Sequence, residues 1–149
     1  MLALGSNLGD RLAHLRAAVC ILQPTAVSPV YDTDPVGLTN QPDFLNAVVL
    51  VAADAAGAWG LAQAAELGAG RRRELRWGPR TLDVDVVLAP GRAPGLVLPH
   101  PRAAERAFVL APWLDLQPDA QLPGHGSVAD LLAGLDRSGL RRRDDLVLT

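Results

Sequence analysis

The chain opens on an apolar stretch, residues 1–4, that stops at Gly5-Ser6-Asn7. It reads as a strand whose beginning lies upstream, followed by a tight turn. From Asp10 onward Leu12, Leu15, Val19 and Leu22 recur at helical spacing, which predicts an amphipathic helix over residues 10–22, ended by Pro24. Residues 27–31 read as a strand. Residues 32–42 (DTDPVGLTNQP) hold two prolines and a glycine among polar residues, a loop signature. Residues 44–51 are apolar at nearly every position, as in a strand buried on both faces. An Ala-rich helix over 55–67 leads into a Gly/Pro loop over 68–79, and residues 81–88 (TLDVDVVL) read as a strand. Beyond a turn at 89–95, the pattern predicts a short strand over 96–98. A helix over 102–116 broken at Pro112 and a helix over 127–135 capped by Ser127 follow. The run Arg141-Arg142-Arg143-Asp144-Asp145 balances its own charge and reads as a solvated tail.

The order β-α-β-β-α-β with a helical C-terminal part is the split βαβ pattern, and the expected fold class is therefore α+β: a ferredoxin-like sandwich with a mostly antiparallel sheet. No repeat or linker divides the sequence, so residues 1–149 are expected to form one domain. Composition agrees: 49% hydrophobic and 20% charged residues suit a packed core. The 14 basic residues are all arginine, against 16 acidic ones, for a net charge of −2. A weakly acidic chain is a poor nucleic-acid binder, and any anion it handles needs a local arginine cluster. Without lysine, a Walker-A loop, Schiff-base chemistry and pyridoxal phosphate are all excluded. One cysteine, Cys20, leaves no internal disulfide and points to the reducing cytoplasm. No secretory signal or membrane-length apolar run is read, so neither a membrane nor a nucleic-acid partner is expected, and a monomer is.

The sharpest chemical feature is Asp83-Val84-Asp85 within a strand. Alternation puts both carboxylates on one face, with Cα atoms about 6.6–7 Å apart. Such a pair can converge on hard cations, and Mg²⁺ takes one or two carboxylates together with phosphate oxygens and water. The competing reading is a solvent-facing pair on an edge strand. Upstream lie Arg71, Arg72, Arg73, Arg76 and Arg80 around Trp77. Guanidinium groups beside paired carboxylates suit phosphoryl transfer, where charge spreads over phosphate oxygens in the transition state. A solvated basic turn is the plainer alternative. His100 is held between two prolines, with Arg106 and Phe108 following. Phe44 and Asn46 share one strand face, a ring for stacking and an amide with a donor and an acceptor in one plane. They suit a flat heterocycle such as a pterin, while ordinary packing and a satisfied buried amide are the rivals.

Taken together, these segments resemble the 6-hydroxymethyl-7,8-dihydropterin pyrophosphokinase family of folate biosynthesis. The resemblance rests on LGSNLGDR, on YDT with NQPDFLNA, on RWGPRTLDVDVVL and on LPHPRAAERAFVLAPWLDLQPD, in that order along the chain. It implies transfer of pyrophosphate from ATP to the dihydropterin hydroxymethyl group, leaving AMP. Asp83 and Asp85 would bind two Mg²⁺ ions and, with Arg73 and Arg80, carry catalysis. Phe44 and Phe108 would sandwich the pterin, and Asn46 with Thr33, Asp34 and Val36 would bind its edge, Trp77 packing over the substrates. Gln63, Glu66, Arg71, Arg73, Arg80, His100 and Arg106 match positions at the nucleotide. Phe44 replaces a frequent tyrosine, and Asp34 a frequent proline.

Overall fold

A computed structural model describes residues 1–35, 40–70 and 81–149. Among the described residues, eight strands and four α-helices run in the order β1 (Leu2–Ser6), α1 (Arg11–Leu22), β2 (Ala26–Val27), β3 (Val30–Thr33), β4 (Phe44–Leu50), α2 (Ala55–Gly68), β5 (Asp83–Val86), α3 (Ala107–Leu116), β6 (Gln121–Leu122), β7 (Gly126–Ser127), α4 (Val128–Ala133) and β8 (Leu140–Arg143). The main sheet has the order β5-β1-β4-β3-β8, with β2 also pairing β4, and its pairs are all antiparallel. With β2 and β3 taken as two halves of one strand, the first six segments are the expected ferredoxin-like unit, an α+β fold.

Helix ends follow from local chemistry. The Asp10 carboxylate accepts from the Ala13 N–H at 3.1 Å, and Asp54 accepts from Gly57 at 2.9 Å, so each caps a helix N-terminus. Ser127 caps α4 in the same way, as its position predicts. The apolar spacing of α1 turns Leu15, Ala18, Val19 and Leu22 onto the sheet. There they meet Leu2, Leu4, Ala47 and Val49 together with Ala58, Ala62 and Ala65 of α2. The opposite sheet face carries Ala3, Tyr31 and Val48 and packs on α3 and α4 through Val109, Leu110, Trp113, Val128 and Leu132. Helices thus cover both faces, and the two β1 neighbours Ala3 and Leu4 belong to different cores.

Four expectations need correction. Residues 96–98 form turns, because Leu96 bonds back to Ala93 and the chain runs beside the sheet into His100, whose N–H reaches the Val87 carbonyl. The helix over 102–116 divides at Arg106, whose extended backbone separates a 3₁₀ turn (Ala103–Glu105) from α3. Pro112 lies within α3; it sits one turn in, on the buried stripe, where the lost N–H costs a single bond to the Phe108 carbonyl. The strand expected over 27–31 splits at Ser28-Pro29, where the Ser28 hydroxyl takes the Val48 N–H. The arginine run is not a free tail. It forms β8 along the β3 edge, where Arg141 stands opposite Asp32, and Arg143 Nη1 donates to Asp32 Oδ2 at 3.2 Å. Within the run, Arg142 does pair with Asp144, and Arg143 with Asp145, as its charge balance suggests.

Candidate active site

β5 delivers its two carboxylates as alternation requires. Val84 and Val86 are buried among the α1–α2 side chains, which leaves Asp83 and Asp85 on the face shared with α3. β5 is the sheet edge, so the Val84 N–H between the aspartates points away from β1. The buried Glu66 of α2 reaches over and accepts it through Oε1 at 2.9 Å. On the inner side, β1 sets Gly5 opposite Asp83 and Ala3 opposite Asp85. Neither small residue fills the space above the sheet. One strand further, β4 sets Asn46 beside Gly5 and brings Phe44 to the same face, with Thr33 of β3 opposite Phe44.

These residues line one cavity, closed on the far side by Arg106 and Phe108 at the start of α3 and bordered by Asp34. The two phenyl rings are both half-buried. Asn46 is buried, and its Nδ2 donates to the Thr33 hydroxyl at 2.6 Å. The cavity therefore joins two aromatic rings to a pair of carboxylates.

Cationic groups gather at the acidic end. Arg106 Nη1 donates to Asp85 Oδ2 at 3.1 Å, and its guanidinium carbon lies 5.6 Å from the Phe108 ring centre. His100 Nε2 stands 4.0 Å from the same oxygen. The Arg102 N–H donates to His100 Nδ1 at 3.1 Å, so the neutral ring carries its proton on Nε2, towards Asp85. Burial lowers the His100 pKa, against the pull of Asp85, and favours that neutral form. Burial also raises the Asp85 pKa, and the neighbouring Asp83 adds to the rise, while His100 and Arg106 oppose it. Arg106 is the cation that Asp85 meets in this corner.

Of the site residues expected from sequence, Thr33, Asp34, Phe44, Asn46, Asp83, Asp85, Arg106 and Phe108 meet in this cavity, and His100 stands at its acidic end. Gln63 is exposed on α2 and is not among the cavity residues, and Glu66 accepts from the Val84 N–H between the two aspartates. Val36, Arg71, Arg72, Arg73, Arg76, Trp77 and Arg80 lie outside the described residues. Sequence reasoning missed Ala3 and Gly5, reading Gly5 as the start of a turn. The signal was available: continuing the strand alternation through Gly5 puts the two smallest β1 residues on one face.

Comparison with known proteins decides the lineage. The profile of the family described as 7,8-dihydro-6-hydroxymethylpterin-pyrophosphokinase matches residues 1–118. The chain belongs to this family. Relatives named 2-amino-4-hydroxy-6-hydroxymethyldihydropteridine pyrophosphokinase include one from Mycobacterium leprae, 47% identical over 95% of this chain and 86% of its own length. One from Pseudomonas aeruginosa is 40% identical over 94% of this chain and 93% of its own. A third, from Bacillus subtilis, is 44% identical over 77% and 75%. The resemblance drawn from the sequence motifs thus holds, and this pyrophosphokinase-family chain is a transferase. Among the described residues, no helix is long and apolar enough to cross a membrane.

Proposed function

We propose that this chain transfers pyrophosphate from ATP to the hydroxymethyl group of 6-hydroxymethyl-7,8-dihydropterin, giving the pterin diphosphate and AMP in folate biosynthesis. Residues 1–149 would act as one pyrophosphokinase domain, monomeric and cytoplasmic. The observation that carries the reading is the joining of the Phe44–Phe108 slot to Asp83 and Asp85 in a single cavity. A flat bicyclic substrate in the slot directs its hydroxymethyl arm towards the carboxylates, where a triphosphate is expected.

The donor set suits magnesium. Among the described residues, no three His, Cys, Asp or Glu side chains gather as a metal cage. Two carboxylates on one strand face match an ion whose other ligands are phosphate oxygens and water. Asp83 and Asp85 would hold two Mg²⁺ ions, whose charge, when bound, offsets that of the triphosphate.

Phe44 and Phe108 stack the ring, and Asn46 with Thr33 reads its polar edge. Arg106, His100, Arg71, Arg73 and Arg80 bind phosphate oxygens. Held in line, the hydroxyl oxygen attacks the β-phosphorus as the bond to the α,β-bridging oxygen breaks, and AMP departs with that oxygen. Asp83 is the carboxylate assigned to the hydroxyl proton.

Incubation with ATP, Mg²⁺ and the dihydropterin should yield AMP and the pterin diphosphate in equal amounts, and a chelator should stop it. Nucleotide binding without AMP would replace this reading with a non-catalytic binding module. AMP formed only with a different alcohol would identify another phosphotransferase.

A further inference from the structure

A glycine in the middle of a strand weakens it, since the residue offers no side chain to pack and gives up the most backbone freedom. Gly5 sits mid-sheet, between Asn46 of β4 and Asp83 of β5, and it is not among the chain's positive-φ glycines. Its backbone could therefore belong to alanine. The space above it could not. A Cβ on Gly5 would stand 2.7 Å from Asn46 Oδ1 and 3.5 Å from the Phe44 ring. The first distance is shorter than carbon and oxygen tolerate without a bond between them.

From this contact we infer that Gly5 is a positioning residue for substrate recognition: its missing side chain lets the Asn46 amide stand over the sheet, where Thr33 fixes its orientation. The inference rests on the pterin-slot reading given above. Asn46 cannot yield cheaply. The residue is 6% exposed, and its Nδ2 is tied to Thr33 Oγ1 at 2.6 Å. Rotation away from a methyl group at position 5 would break that tie. In the observed pose Oδ1 remains an acceptor, and Nδ2 keeps a second hydrogen for a ligand. An acceptor and a donor side by side are what the lactam or amidine edge of a flat heterocycle requires. Gly5 thus selects the amide pose, Thr33 holds it, and the substrate edge reads it.

The test uses Gly5→Ala, Asn46→Ala and the double variant, with dihydropterin and ATP affinities titrated separately. Gly5→Ala should weaken dihydropterin binding about tenfold or more, the loss expected when a buried hydrogen-bonding group is misplaced, and leave ATP within about twofold. The double variant should bind no worse than Asn46→Ala alone, because the two substitutions remove the same contact. Thr33→Val should reproduce part of the loss, and Thr33→Ser should retain binding. Dihydropterin affinity in Gly5→Ala within about twofold of the native protein would overturn the inference. If the native protein binds no dihydropterin, the functional reading fails, and melting of the unliganded variants decides this one. Gly5→Ala should lower the melting temperature in the native background and not in Asn46→Ala. An equal drop in both would show that Asn46 is not what the methyl group meets.

Discussion

Tyr31, the only tyrosine of the chain, is 8% exposed between the sheet and α3, and its hydroxyl donates to Asp115 Oδ2 at 2.5 Å. Burial, followed by the hydrogen bond and charge of Asp115, pushes its pKa up to about 12, with Arg142 opposing. The folded state therefore holds the phenol proton more tightly than the unfolded chain, where the ordinary value is 10.0. That contribution to stability is complete below pH 10 and fades as pH rises towards 12. The tyrosinate ultraviolet band should appear near pH 12 in the native protein and near 10 in denaturant. Tyr31→Phe should remove the stability change in that window. Native titration near 10 would refute the buried hydrogen bond. Asp85 tests the acidic corner. Its exchange for alanine leaves Arg106 unpaired, but that guanidinium still reaches solvent, so stability should change by about 1 kcal/mol or less, a few degrees of melting temperature. AMP formation should fall by about a hundredfold or more, because charge stabilisation of the transferring group is lost. Near-native turnover would remove Asp85 from the site.

At the level of elements, β5 is the strand on which the site depends, and it is an edge. Glu66→Ala would strip the buried Val84 N–H of its acceptor, at a cost of about 1–3 kcal/mol. Glu66→Gln, which keeps a carbonyl oxygen in reach, should recover most of it. Melting curves together with hydrogen exchange at the Val84 amide would check both, faster exchange being expected in the alanine variant alone. An unchanged exchange rate in Glu66→Ala would show that α2 does not hold the edge. The carboxylate pair itself was legible because alternation is a local rule, and so were α1, from its apolar spacing, and α2, from its run of alanines. The bond from Glu66 to β5 was not legible, because the N–H it accepts belongs to a residue 18 positions away. Pro112 looked like a helix break by propensity alone, yet the apolar stripe of α3 places it in the core. Residues 96–98 had strand composition without an edge to pair with, since the outer side of β5 is covered by α2.

Across the whole molecule, the β-α-β-β-α-β order was readable from the first 88 residues because each segment carries its own periodicity. β8 was not, for three arginines in a row make a strand only when carboxylates wait on the neighbouring one. Asp32 supplies them: Arg11, Arg141 and Arg143 all lie within 4 Å of its carboxylate. The stretch beyond residue 118, outside the family match, is thus built into both sides of the sheet. Leu122, Val128 and Leu132 complete the core beneath α3, and Leu148 enters the core beneath α1. Burying a Leu or Val side chain contributes about 1.5–3 kcal/mol, so four of them supply about 6–12 kcal/mol. Net stabilities of folded domains are about 5–15 kcal/mol. A fragment ending at residue 118 should therefore lack a cooperative melting transition and show no AMP formation, although every described cavity residue lies within it. Thermal unfolding of the fragment beside the full chain, followed by circular dichroism, gives the answer. A cooperative transition within a few degrees of the full chain would mean that the C-terminal strand and α4 only decorate a core that is already sufficient.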